Sequence, residues 1–167
     1  MGTGGDRTRQ EDERQRAVDA SRLSSFDLTA FDDIARAAAD LFGTPVALVT
    51  VIDKEEQRFV GRVGVDLPGT PRAISFCDQA VQTPGTVMVV EDASRDPRYV
   101  DNPLVTGEHH IRFYAGAPLV SDEGQALGTL CVLDVEPRQV DPYKLEQLRF
   151  LARQVMQTVR ARNRALG

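Results

Sequence analysis

The side chains equipped for chemistry fall at one thiol and along one polar stretch. Cys77 follows Ser75-Phe76 at the start of a predicted short helix, where backbone N–H groups favour a thiolate and lower a thiol's pKa. That placement suits a redox- or ligand-sensing thiol with Phe76 beside it. The plainer reading is a small buried hydrophobe, the usual state of a free cysteine. Further on, Asp92, Asp96 and Arg98 crowd together after a strand. They offer charge to a polar ligand, or they cap short turns while Arg98 pins the loop through ion pairs; Asn102-Pro103 suits the same turn architecture. From Arg98 to Leu119 a polar loop runs directly into a strand, and sites are often built where a rigid strand aims side chains delivered by a loop. On that strand Arg112 and Tyr114 alternate with Phe113 and so share one face of the sheet. There Arg112 would read an anion and Tyr114 would supply a wall with a hydroxyl; a loop-anchoring pair is the alternative. The expected ligand-contact set is therefore Phe76, Cys77, Asp92, Asp96, Arg98, Asn102, Arg112 and Tyr114. His109 and His110 are adjacent, so on an extended chain they point to opposite faces, and no Cys or carboxylate stands at ligand spacing beside them. They read as solvated loop histidines, and no metal site is expected. No catalytic triad or phosphate-binding glycine loop appears.

The elements that must position these residues belong to an ordinary soluble composition: 167 residues, 41% hydrophobic and 27% charged. That is one domain's worth of chain, large enough to bury a core without staples. A net charge of −5 and the lack of a basic stripe argue against a nucleic-acid partner. The two cysteines, Cys77 and Cys131, form no Cys-x-x-Cys pair, so zinc and thioredoxin spacings are absent. Without a signal-peptide core or a spanning apolar run, no membrane is expected and the compartment expected is the cytoplasm.

Residues 1–25 are polar and charge-dense, a disordered tail or a signalling helix ordered by pairing with another helix. Residues 29–42 read as a helix from Phe31, Ile34, Ala35, Ala38, Leu41 and Phe42 at helical spacing, with Thr29 at its start and Gly43 and Pro45 stopping it. Strands follow at 46–52 and 58–63, joined as a hairpin. Residues 65–72 are irregular. A short helix runs from Ser75 to Val81, a strand spans 87–90, and 92–107 is loop. Strands at 111–120 and 125–135 flank the Ser121-Asp122-Glu123-Gly124 turn. Asp141 as cap and Pro142 at the first position open a long last helix. Its Leu145, Leu148, Ala152, Val155 and Val159 alternate three and four apart, a coiled-coil-like spacing; the stripe either packs on the sheet alone or adds dimerisation through the C-terminal half from about Val155, and Leu148, Val155 and Val159 are the expected dimer interface. Short turns imply antiparallel pairing. The fold class is thus α+β: an antiparallel sheet of five to six strands, terminal helices on one face, short helices and loops over the other. Residues 26–164 form the domain, and 165–167 a C-terminal tail.

Several segments together resemble the GAF sensory-domain family: Phe42-Gly43-Thr44-Pro45-Val46 through Asp53, Ser75-Phe76-Cys77, Val89-Val90-Glu91-Asp92-Ala93-Ser94-Arg95-Asp96-Pro97-Arg98, Asn102-Pro103-Leu104-Val105, Ile111 to Leu119, and Leu127-Gly128-Thr129-Leu130-Cys131 through Asp134. The likeness is to the bacterial branch attached to sensor histidine kinases and diguanylate cyclases. It implies a pocket between the sheet and the 92–110 loop, an unidentified small-molecule ligand, a homodimer through the terminal helices, and an output domain in a partner or a longer parent protein. Members that attach bilin offer a cysteine with an adjacent histidine. Here Cys77 precedes Asp78 and Cys131 precedes Val132, so covalent bilin is not expected. The family's free methionine sulfoxide reductases rely on a cluster of cysteines, whereas Cys131 reads as core, which leaves Cys77 without resolving chemistry. The signature of cyclic-nucleotide-binding members is not apparent. The expectation is a non-catalytic sensory module. The alternatives are a thiol-based redox sensor or reductase using Cys77, and a dimerisation scaffold with no ligand.

Overall fold

The computed structural model describes residues 3–166. A six-stranded antiparallel sheet is ordered β3-β2-β1-β6-β5-β4. Its strands are β1 (Val46–Asp53), β2 (Glu56–Val63), β3 (Gly69–Pro71), β4 (Met88–Val90), β5 (Phe113–Val120) and β6 (Ala126–Asp134). Helices α1 (Thr3–Ser21), α2 (Asp32–Phe42) and α5 (Pro142–Leu166) cover one face. The other face lies under α3 (Cys77–Ala80), α4 (Pro103–Thr106) and two 3₁₀ turns, Arg72–Ile74 and Ala93–Arg95. The α+β architecture read from the sequence is the one found.

The central strands are apolar on both faces because both are covered. In β1, Ala47, Val49 and Val51 join the core beneath the helices, while Leu48 and Ile52 join a second core beneath the loops. In β6 a bulge resets this alternation. Leu119 pairs with Gly128 but Val120 with Ala126, so Leu127 is the extra residue. A second bulge at Val60 lets α2 approach. Phe31 N–H donates to Val60 O at 2.9 Å, and a Cβ at Gly61 would meet the Phe31 backbone at 2.7 Å, a spacing only glycine tolerates.

The first helix of the domain starts later than its periodicity suggests. Asp27 Oδ1 accepts from both the N–H and the hydroxyl of Thr29, so Thr29 closes a turn and α2 begins at Asp32. Its end is as expected, with Gly43 left-handed at φ 68°. Asp141 does cap α5, accepting from Tyr143 N–H at 2.9 Å, and the helix runs on through 165 and 166. Leu148, Val155 and Val159 are 0%, 0% and 1% exposed. They pack on the sheet in their own chain and are not free to form a dimer contact. The outward face of α5 instead shows Tyr143 at 68% and Phe150 at 56%. The charged N-terminal segment is helical, and Val18 and Leu23 bury in the main core. The core thus reaches past the boundary drawn at residue 26. At their far ends the terminal helices are tied together. Asn163 Nδ2 donates to Ser21 O at 2.8 Å, and Arg162 donates to Ser25 Oγ while stacking on Phe26.

Candidate functional site

Of the residues expected to touch a ligand, Phe76, Cys77 and Tyr114 meet, and the loop residues do not join them. Asp92 caps its 3₁₀ turn, accepting from Ser94 N–H at 3.1 Å and Ser94 Oγ at 2.6 Å. Those bonds hold its carboxyl below the usual range. Asp96 is clamped by Arg98 through Nε at 3.0 Å and Nη2 at 2.7 Å, which lowers its pKa in the same way. Asn102 caps α4 through Leu104 N–H at 2.8 Å and donates to Ile74 O at 3.0 Å, stitching two loops together. Arg112 parts from Tyr114. His110 is left-handed at φ 55°, so regular strand begins only at Phe113. From there Arg112 donates to Val105 O at 2.9 Å and meets His110 Nδ1 at 3.1 Å. In these four cases the side chain serves the loop.

The place expected for a ligand, between β5 and the 92–110 loop, is filled by the protein itself. The Phe76 ring lies 4.3 Å from that of Tyr99 and 5.3 Å from that of Tyr114, edge-on to the latter at 89°. Such pairs add roughly 0.5–1.5 kcal/mol beyond their buried area. Val105 and Met88 complete the layer.

Beneath these rings sits a buried polar cluster. Thr50 and Thr129 face each other across β1 and β6, their hydroxyls 3.1 Å apart. Cys77 Sγ lies 3.0 Å from Thr129 Oγ1 and 3.9 Å from Cys131 Sγ, and it accepts from Tyr114 Oη at 3.2 Å. Tyr114 reaches it by lying over Gly116, where a Cβ would come within 2.1 Å of the phenol oxygen. Burial pushes the Cys77 thiol up, but its hydrogen bonding with Cys131, Thr129, Tyr114 and Thr50 outweighs that and brings it down to about 7. Burial and the neighbouring Cys77 push Cys131 well above its ordinary value. Burial likewise raises Tyr114. The sequence reading missed Thr50, Thr129 and Cys131 as partners. The available signal was two threonines placed inside otherwise apolar strands, with Cys131 two residues beyond Thr129 and so on the same face.

A second feature went unread. An open cleft of about 1340 Å³ separates α1 from the loop layer, lined among others by Arg7, Glu11, Arg14, Lys54, Arg72 and Asp78. Arg72 spans it. Its Nε donates to Asp78 Oδ1 at 2.6 Å, and Nη1 donates to Glu11 Oε1 at 2.5 Å and to Lys54 O at 2.9 Å. Glu11 also accepts from Arg14, whose Nη1 continues to Ala126 O at 3.2 Å. Partial burial raises the Glu11 carboxyl, but the two arginines outweigh that and hold it at about 2. Nothing in local spacing joins residues 11, 72 and 78; only the fold does. Among the described residues, no three His, Cys, Asp or Glu side chains are grouped to hold a metal ion, and no helix is long and apolar enough to cross a membrane.

Residues 28–159 match the GAF domain family. The chain is 42% identical over 160 residues to a cyclic di-GMP phosphodiesterase of Pseudomonas aeruginosa, covering 92% of this chain and 27% of that protein. It therefore spans little more than a quarter of that relative's length. In fold it is similar to the GAF domain of an Acinetobacter phosphoenolpyruvate-protein phosphotransferase, with a TM-score of 0.67, 19% identity and coverage of 95% and 96% of the two chains. It is also similar to a free methionine-R-sulfoxide reductase of Neisseria meningitidis in complex with its substrate, with a TM-score of 0.63, 22% identity and coverage of 87% of each chain.

Proposed function

The chain belongs to the GAF domain family, and from that membership we propose a non-catalytic regulatory module that passes the state of its loop layer to its terminal helices. The carrying observation is the Arg72 bridge, which holds Asp78 of α3 with one edge and Glu11 of α1 with the other. A change in how α3 sits on the sheet moves Asp78, and through Arg72 it changes the hold on α1. The ties from Asn163 and Arg162 to residues 21–25 extend that change to α5. The input is a small molecule that lifts the 92–110 loop and displaces Tyr99 from Phe76. It acts by shifting a population between two packings of the layer. The output is a domain in a longer parent or a partner chain, and the resemblance to a cyclic di-GMP phosphodiesterase supports a place in that signalling chemistry. Two buried free thiols suit a cytoplasmic location.

The module acts as a homodimer. Because Leu148, Val155 and Val159 are engaged on the sheet, the contact is assigned to the outward face of α5, where Tyr143 and Phe150 stand seven residues apart. Native mass spectrometry of protein from its own source, before and after denaturation, tests ligand and dimer together. A dimer carrying an extra mass that is lost on denaturation is expected; a bare monomer would contradict the reading.

A further inference from the structure

We propose that Cys77 and Cys131 are a paired redox site that closes to an intramolecular disulfide when a hydroperoxide reaches Cys77. The inference stands whether or not the terminal helices carry an output.

Burying polar atoms beside apolar ones is costly. Thr50, Thr129, Tyr114, Cys77 and Cys131 put their polar atoms together in a layer otherwise built of Leu48, Ile52, Phe59, Phe76 and Leu133. Val, Ala and Phe would fill the same space without burying hydroxyls that must then be satisfied. What the hydroxyls do is converge on one sulfur. Thr129 and Tyr114 stand 3.0 and 3.2 Å from Cys77 Sγ, an arrangement that stabilises a thiolate, the form that attacks peroxides. The second sulfur is 3.9 Å away, already in contact, while a disulfide closes at about 2.05 Å. The two backbones differ in freedom. Cys131 is held in β6 between β1 and β5, opposite Leu48 and Gly116. Cys77 is the first residue of a four-residue helix, which is able to settle toward the sheet. Both cysteines are buried, Cys77 at 3% and Cys131 at 0% exposure; the cleft borders Asp78, Val81 and Gln82 of the same segment, so a hydroperoxide would reach Cys77 by local opening of this segment.

In the first step the Cys77 sulfur attacks the outer oxygen of the hydroperoxide. An S–O bond forms, the O–O bond breaks, and the leaving alkoxide or hydroxide takes the proton that Cys77 gave up. Cys77 is then a sulfenic acid, oxidised by two electrons. In the second step Cys131 attacks the Cys77 sulfur. The S–S bond forms, the S–O bond breaks, and the departing hydroxide takes the Cys131 proton and leaves as water. In sum, two thiols and one hydroperoxide give one disulfide, one alcohol (water, for hydrogen peroxide) and one water. A thiol reductant reverses it by exchange.

The test treats the native protein with hydrogen peroxide, then alkylates it with N-ethylmaleimide in denaturant and weighs it intact. The chain holds only two cysteines, so the readout is a direct count. Two adducts before peroxide should fall to none, at a monomer mass lighter by two hydrogens, and return to two after dithiothreitol. The idea is overturned if both thiols remain alkylatable, if Cys77 over-oxidises while Cys131 still alkylates, or if the only disulfide links two chains. Cys131→Ser adds an independent reading: dimedone should trap a sulfenic acid on it several-fold more than on the wild type. Equal trapping would remove Cys131 from the reaction.

Discussion

Tyr114 is completely buried, and its hydroxyl is used on Cys77. Tyr114→Phe removes one donor to the thiolate and leaves the ring in place. The Cys77 titration, read from thiolate ultraviolet absorbance, should then move up from about 7, with stability falling by about 1 kcal/mol. An unmoved midpoint would mean the phenol does not tune the thiol. Asn102 offers a contrasting case, since its worth is architectural: Asn102→Ala should cost about 0.5–2 kcal/mol in chemical denaturation, without altering the thiol. At this scale the sequence was readable where chemistry is local. Asp92, Asp96 and Asn102 make the turn contacts their types and spacing suggest. It was unreadable where partners come from separate strands. Cys131 looked like plain core because its neighbours in sequence are Leu130 and Val132, whereas its neighbour in space is Cys77.

The N-terminal helix is held by charge at Glu11 and Arg14 as well as by the buried Val18. The Glu11 carboxyl is held near pH 2 in the folded protein against an ordinary value near 4.5. A depressed carboxyl contributes its stabilisation fully above the ordinary value and loses it as pH falls through the folded one. Amide exchange in α1 should therefore quicken as pH falls from 4.5 toward 2, after correction for the intrinsic rate. Glu11→Gln should abolish that dependence; if it persists, other carboxylates hold the helix. On α5 the two faces separate cleanly. Leu148→Ala should destabilise the domain by roughly 2–5 kcal/mol. Phe150→Glu should leave monomer stability nearly unchanged and split the proposed dimer in light scattering, whereas a dimer surviving it would place the contact elsewhere. The elements themselves were largely legible, because hydrophobic period, caps and turns are local signals. The inward direction of the α5 stripe was not: a seam that fits a coiled coil fits a sheet equally well, and only the sheet's position decides. Likewise the late start of β5 turns on a left-handed His110, which strand propensity does not register.

Taken whole, the molecule is a sheet between two cores. The helix side is closed by α2 and α5, and the other side by short segments held with capped turns and one aromatic stack. Segments of the second kind open at lower free energy than regular elements, which makes the loop layer the natural place for an input. The proposed route from there to α1 passes through Arg72. Asp78 receives Arg72 Nε, while α1 meets Arg72 through Glu11. Hydrogen–deuterium exchange of Asp78→Ala against the wild type therefore tests whether the loop layer is coupled to α1. Coupling predicts several-fold faster exchange across residues 11–21 of α1, with β1 and β6 unchanged. Faster exchange confined to α3, or a uniform rise throughout the domain, would contradict it.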